Sequence, residues 1–134
     1  MLNEETRNNL IDLATEARKQ SYSPYSNYAV GAALLAKSGK IYSGANVENA
    51  VYPMTICAER AAVFKAVSEG DREFEAIAVV TRDGGTPCGA CRQVLAEFGL
   101  ETVVLMADEG GKVHHEMSVA ELLPESFGPS NLLD

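Results

Sequence analysis

Long apolar runs are missing from this sequence. The longest uninterrupted one, Ala29 to Ala36, falls far short of the roughly 20 residues that cross a bilayer, so no membrane partner is expected. Basic charge is also scarce: eleven Lys and Arg stand against nineteen Asp and Glu, a formal net charge of −8. Proteins that track a polyanion present a basic face, and no Lys/Arg cluster is visible, so nucleic-acid polymers are not expected partners. A small neutral ligand suits the balance better. The opening MLNEETRNNL is acidic and polar, unlike a secretory signal, which makes the cytoplasm the expected location. Repeats, low-complexity tracts and interdomain linkers are lacking too. What is present, 46% apolar and 22% charged residues over 134 positions, describes one globular domain, 1–134, large enough to bury its own core.

Periodicity supplies the elements. Leu10, Leu13, Ala14 and Ala17 recur at helical spacing within Asn3 to Lys19, with Asn3 placed to cap the start. SYSPYSN, 21–27, is a loop by composition. Tyr28 to Lys37 reads as a buried strand, Ser38-Gly39 as a two-residue turn, and Lys40 to Ala45 as the antiparallel partner. CAERAAVFKAV, 57–67, is a helix with little polar surface, closed by Gly70. A helix this apolar in so small a chain points to coverage by another subunit.

Phe74 to Thr81 is a further strand, Cys88 to Phe98 a helix ended by Gly99, and Thr102 to Ala107 a strand parallel to the first. Asp108 to Gly111 is too short for a crossover, so Lys112 to Met117 returns antiparallel. Ser118 and Glu121 form a capping-box pattern for a last short helix, stopped by Pro124. The expected fold class is α/β, a three-layer α/β/α sandwich with a mixed sheet of about five strands.

The three cysteines, Cys57, Cys88 and Cys91, cannot all pair internally, which favours metal or catalytic chemistry over a disulfide framework. All three lie at helix starts, where free N–H groups and the helix dipole favour thiolate. CGAC alone allows a redox pair, half of a structural zinc site, or two ligands of a catalytic zinc. Cys57 shifts the balance, because three ligands leave an open position for water, the mark of a catalytic zinc site. The spare imidazoles, His114 and His115, are strand neighbours that point to opposite faces, so they read as edge or solvent groups. Glu59, on the same turn as Cys57, then has a use: a carboxylate beside the metal can take up and deliver protons.

The pattern C-A-E … P-C-x-x-C resembles the signature of the zinc-dependent nucleoside and nucleobase deaminases. GANVENAVYP, ICAER, AVSEGD, PCGACRQV and ELLPESFGP are similar to the small cytidine deaminases, from about Tyr22 to the C-terminal tail. The resemblance implies one Zn2+ per subunit on Cys57, Cys88 and Cys91, with Glu59 as catalytic proton shuttle. The implied reaction is hydrolytic attack at C4 of cytosine, with Glu59 protonating N3 and then the departing amine.

It further implies that the backbone around Ala58 and Cys88 holds the base, and that Asn46 and Glu48 grip the ribose 3′-hydroxyl. Tyr28 falls where the family often has a phenylalanine near the base. Tyr52 and Phe127 match residues that reach a neighbouring subunit's site, and family members of this length are homotetramers. Zinc with three thiolates carries net negative charge; Arg60 and Arg92 are placed to offset it by donating hydrogen bonds to sulfur. The expected activity is deamination of cytidine and 2′-deoxycytidine in pyrimidine salvage. Its rivals are a deaminase of another cytosine nucleoside such as blasticidin S, a zinc-stabilised module without catalysis, and a thiol redox protein.

Overall fold

A computed structural model describes residues 2–133. Five strands form one sheet in the order β2-β1-β3-β4-β5: β1 is Gly31–Ala36, β2 Ile41–Ala45, β3 Phe74–Val80, β4 Val103–Ala107 and β5 Val113–Ser118. Among the five described strands only the β3–β4 pair is parallel, as the intervening helix α3, Gly89–Glu97, allows. The other helices are α1, Glu4–Arg18, α2, Ala58–Ser68, and α4, Val119–Leu122.

Strand alternation decides what each face buries. Ala33, Ala76, Ala78 and Val80 meet Leu10, Ile11 and Ala14 of α1 on one side. On the other, Ala32, Leu34, Ile77, Val79 and Met106 meet Ala62, Val63 and Ala66 of α2 and Leu95 of α3. This is the three-layer arrangement the periodicity predicts. Small residues set the layer spacing. A Cβ on Gly31 would lie 2.1 Å from the Ala14 carbonyl oxygen, and one on Gly44 2.8 Å from that of Ala58. Helix backbones therefore rest almost directly on β1 and β2.

Several boundaries differ from expectation. Strand β1 starts at Gly31 and not at Tyr28, because the Asn46 side chain takes the place of a strand partner there: Asn46 Nδ2 donates to the Tyr28 carbonyl at 2.8 Å and Val30 N donates to Asn46 Oδ1 at 2.9 Å. The β1–β2 loop holds three residues, Lys37 to Gly39, with Ala36 N bonded to Lys40 O at 2.9 Å. Gly39 takes the left-handed conformation, φ 96°, that such a loop requires. On α1 the buried stripe is Leu10, Ile11 and Ala14, while Leu13 is exposed. The Asn3 cap and the Ser118–Glu121 capping box form as expected.

Candidate metal centre and its cleft

Both sulfur-bearing helices begin at a cysteine. Cys57 is the N-cap of α2 and Cys88 the N-cap of α3, so each backbone is extended at the cysteine before it turns helical. Cys91, one turn into α3, is fully buried. Two backbone bonds, Val47 N to Ile56 O at 3.0 Å and Ile56 N to Val47 O at 2.9 Å, lay the NVEN segment beside Cys57. The three Sγ atoms lie within 4.8 Å of one another; Cys57–Cys88 is 4.0 Å and Cys88–Cys91 3.3 Å. Three sulfurs around a tetrahedral zinc at about 2.3 Å stand about 3.8 Å apart, so the donor set fits that ion by type and by spacing.

Electrostatics favour thiolate at Cys57. A hydrogen bond from Cys91, then the Arg60 guanidinium, hold the Cys57 thiol down at about 5 against the effect of burial. The same bond, with burial, pushes Cys91 up. Arg60 Nη2 donates to Cys57 Sγ at 3.1 Å. Glu59 is 4% exposed; burial first, then the negative charge of Cys57, push its carboxyl up to about 7. It lines the same cleft as the sulfurs of Cys57 and Cys88.

That cleft has a volume of about 260 Å³, the scale of one small ligand. It gathers residues distant in sequence: Ser26, Tyr28, Asn46 and Glu48 at one end, Ala58, Glu59 and Cys88 at the other, with Tyr52 also on the wall. Glu48 is buried, and no described residue pairs a cation with it. Its Oε1 accepts from Tyr25 N at 2.9 Å and Ser26 N at 3.1 Å, and its Oε2 from Ser26 Oγ. The Ser26 hydroxyl, followed by those backbone groups, holds the carboxyl below its usual range. The phenol of Tyr28 donates to Asp83 Oδ1 at 2.7 Å, and Arg82 sits 5.2 Å from its ring centre. A tyrosine thus has a polar partner where a phenylalanine would have none.

Other expected residues fall elsewhere. The Arg92 guanidinium donates to the carbonyls of Pro87 and Leu122, both at 2.8 Å, and to Thr86 Oγ1 at 3.1 Å. Among the described residues none of its N–H groups donates to a sulfur, contrary to the expectation from charge alone. It braces the turn before Cys88 against α4. Phe127 is 59% exposed and lies outside its own chain's cleft, its carbonyl accepting from Gln93 Nε2 at 2.8 Å. His114 pairs with Asp108 at 2.8 Å, away from the sulfurs, as its strand position predicts. Sequence reasoning missed Ser21, Ser26 and Asp83, whose partners lie 25, 22 and 55 positions away and carry no local signal.

A family model for the cytidine and deoxycytidylate deaminase zinc-binding region matches residues 4–107. The chain belongs to that family. It is 52% identical to a cytidine deaminase of Sporosarcina psychrophila over 92% of each chain. With a cytidine deaminase of Halalkalibacterium halodurans it shares 50% identity over 96% of this chain and 98% of that one. The crystal structure of cytidine deaminase from Burkholderia pseudomallei superposes with a TM-score of 0.86 at 44% identity, covering 94% of this chain and all of the other. Zinc binding, which defines the family's matched region, agrees with the sulfur cluster of this deaminase.

Proposed function

We propose that the chain deaminates cytidine and 2′-deoxycytidine hydrolytically, giving uridine or 2′-deoxyuridine and ammonia. One observation carries this reading: Cys57 and Cys88 of the three-sulfur cluster, the buried Glu59 and the Asn46–Glu48 pair line one cleft. Cys57, Cys88 and Cys91 would hold a zinc ion, which would supply water acidified enough to react at neutral pH.

The protein's own groups do the rest. Glu59, shielded from solvent, takes the proton of the incoming water and delivers it to N3. It then takes the proton of the new C4 hydroxyl and passes it to the amine, which leaves as ammonia while C4 becomes a carbonyl. The backbone around Ala58 and Cys88 holds the polar edge of the base, Tyr28 flanks it, and Asn46 with Glu48 holds the sugar. Arg60 balances the negative charge of the sulfurs, and Arg92 positions the loop that carries Cys88. The reading extends to one domain over 1–134, a cytoplasmic location, and a homotetramer in which Tyr52 and Phe127 reach a neighbour's cleft. The exposure of Phe127 and of Phe64 on α2, 45%, supports that assembly.

The test is the fall in ultraviolet absorbance, with ammonia release, when zinc-loaded protein meets cytidine, 2′-deoxycytidine, CMP, free cytosine and blasticidin S. Turnover of the two nucleosides well above the others is the expected result. Zinc bound without ammonia release from any of them would mean a non-catalytic module.

A further inference from the structure

By composition SYSPYSN, 21–27, reads only as a loop, yet it supplies most of the polar contacts to the two residues at the sugar end of the cleft. Its backbone is fastened to NVEN independently of side chains: Tyr22 N donates to Asn46 O at 3.0 Å and Glu48 N to Tyr22 O at 2.8 Å. On that frame Ser21 Oγ donates to Asn46 Oδ1, and Ser26 Oγ to Glu48 Oε2. Val30 N also donates to Asn46 Oδ1, and Asn46 Nδ2 donates to the Tyr28 carbonyl. The amide oxygen is thus doubly occupied, and among the described residues one Nδ2–H has no partner and can donate. Glu48, with two backbone N–H groups and one hydroxyl on it, is held ionised and acts only as an acceptor.

We infer that Ser21 and Ser26 are positioning residues for sugar specificity, turning Asn46 and Glu48 so that the cleft offers one donor beside one acceptor. A hydroxyl both accepts and donates through a single oxygen, so it satisfies the pair. A hydrogen or a phosphate at C3′ of the sugar does not: the first leaves the remaining Asn46 N–H without an acceptor and gives Glu48 no donor from the ligand, and the second meets a carboxylate. Without Ser26 Oγ, Glu48 Oε2 loses its hold on the loop and is free to swing about the remaining Oε1 contacts, and the match is lost. The inference rests on the nucleoside reading above and adds the element that orients the sugar contact.

The experiment compares cytidine with 3′-deoxycytidine on wild type, Ser26→Ala, Ser26→Thr and Ser21→Ala, with zinc content and circular dichroism confirming the fold. Wild type is expected to favour cytidine in kcat/KM. Ser26→Ala should reduce that preference by about tenfold, the scale of one hydrogen bond to a charged group, through a higher KM for cytidine with kcat little changed. Ser26→Thr, which keeps the hydroxyl, should restore the preference, and Ser21→Ala should reproduce the loss through Asn46. Serine variants that slow both substrates equally, or leave the preference intact, overturn the inference while the nucleoside reading stands. A wild type indifferent to the 3′-hydroxyl overturns the sugar contact itself, and the inference with it.

Discussion

Arg60 reaches back along its own helix to donate from Nη2 to Cys57 Sγ at 3.1 Å, while its buried Nε has no hydrogen-bond partner among the described residues. A buried unpartnered donor is costly, and it sits where negative sulfur needs compensation. Arg60→Gln keeps a polar side chain but removes the charge. It should weaken zinc affinity and lower kcat by about 10–100-fold, the usual effect of losing an outer partner of a metal ligand. Full metal content with unchanged kcat would exclude the role.

Glu59→Gln tests the proton path. The amide preserves shape, so the fold, zinc content and nucleoside binding should persist, while kcat falls by about 10²–10⁴-fold. Single-turnover rates close to wild type would assign proton transfer to another group.

Phe127 faces solvent in the single chain and is assigned above to a neighbour's cleft. Phe127→Ala should weaken nucleoside binding by about 1–3 kcal/mol, the worth of one aromatic stacked on a base. Mixing inactive Phe127→Ala,Glu59→Gln chains with wild type separates the two sites. If Phe127 serves a neighbour, the mixture shows a raised KM in a share of sites that follows the mixing ratio; a KM identical to wild type at every ratio would place Phe127 in its own chain's site or in none.

Tyr42 and Asp71 give a pH prediction remote from the cleft. The Tyr42 phenol donates to Asp71 Oδ2, which Ser38 Oγ also reaches at 3.1 Å. The bond to Asp71, and then burial, push Tyr42 up to about 12, and the same bond holds Asp71 below its usual range. A phenol raised above its unfolded value of about 10 adds stability that is fully present below about pH 10 and lost as pH rises through about 12. Asp71 works in the opposite sense, adding stability above the ordinary carboxylate range and losing it as pH falls. The difference in melting temperature between wild type and Tyr42→Phe should therefore be level near neutrality and shrink above about pH 10. A difference that stays constant into strong alkali would show that the bond does not hold the proton.

Helix caps, strand alternation and the thiolate tendency of the helix-start cysteines were readable because each depends on neighbours within a few positions. Asn3 and Ser118 cap by contacts to residues three places on, Ala33 and Ala32 part to opposite faces by pleat alone, and a helix-start cysteine is disposed to thiolate wherever it stands. Chain-distant contacts were not readable. Arg92 looked like a sulfur donor from its place near Cys91, but the carbonyls of Pro87 and Leu122 stand nearer to hand once α4 packs beside α3. Tyr28 looked like strand until the Asn46 amide took its carbonyl.

By itself, then, the order of residues determined which groups can ligate, cap or alternate, since propensity and spacing act along the chain. Only the tertiary structure decided which way the polar groups of the cleft point. Asn46 and Glu48 are flexible side chains, and their orientation follows from hydroxyls and amides delivered by a loop more than twenty residues earlier, an arrangement that packing fixes and no local pattern encodes.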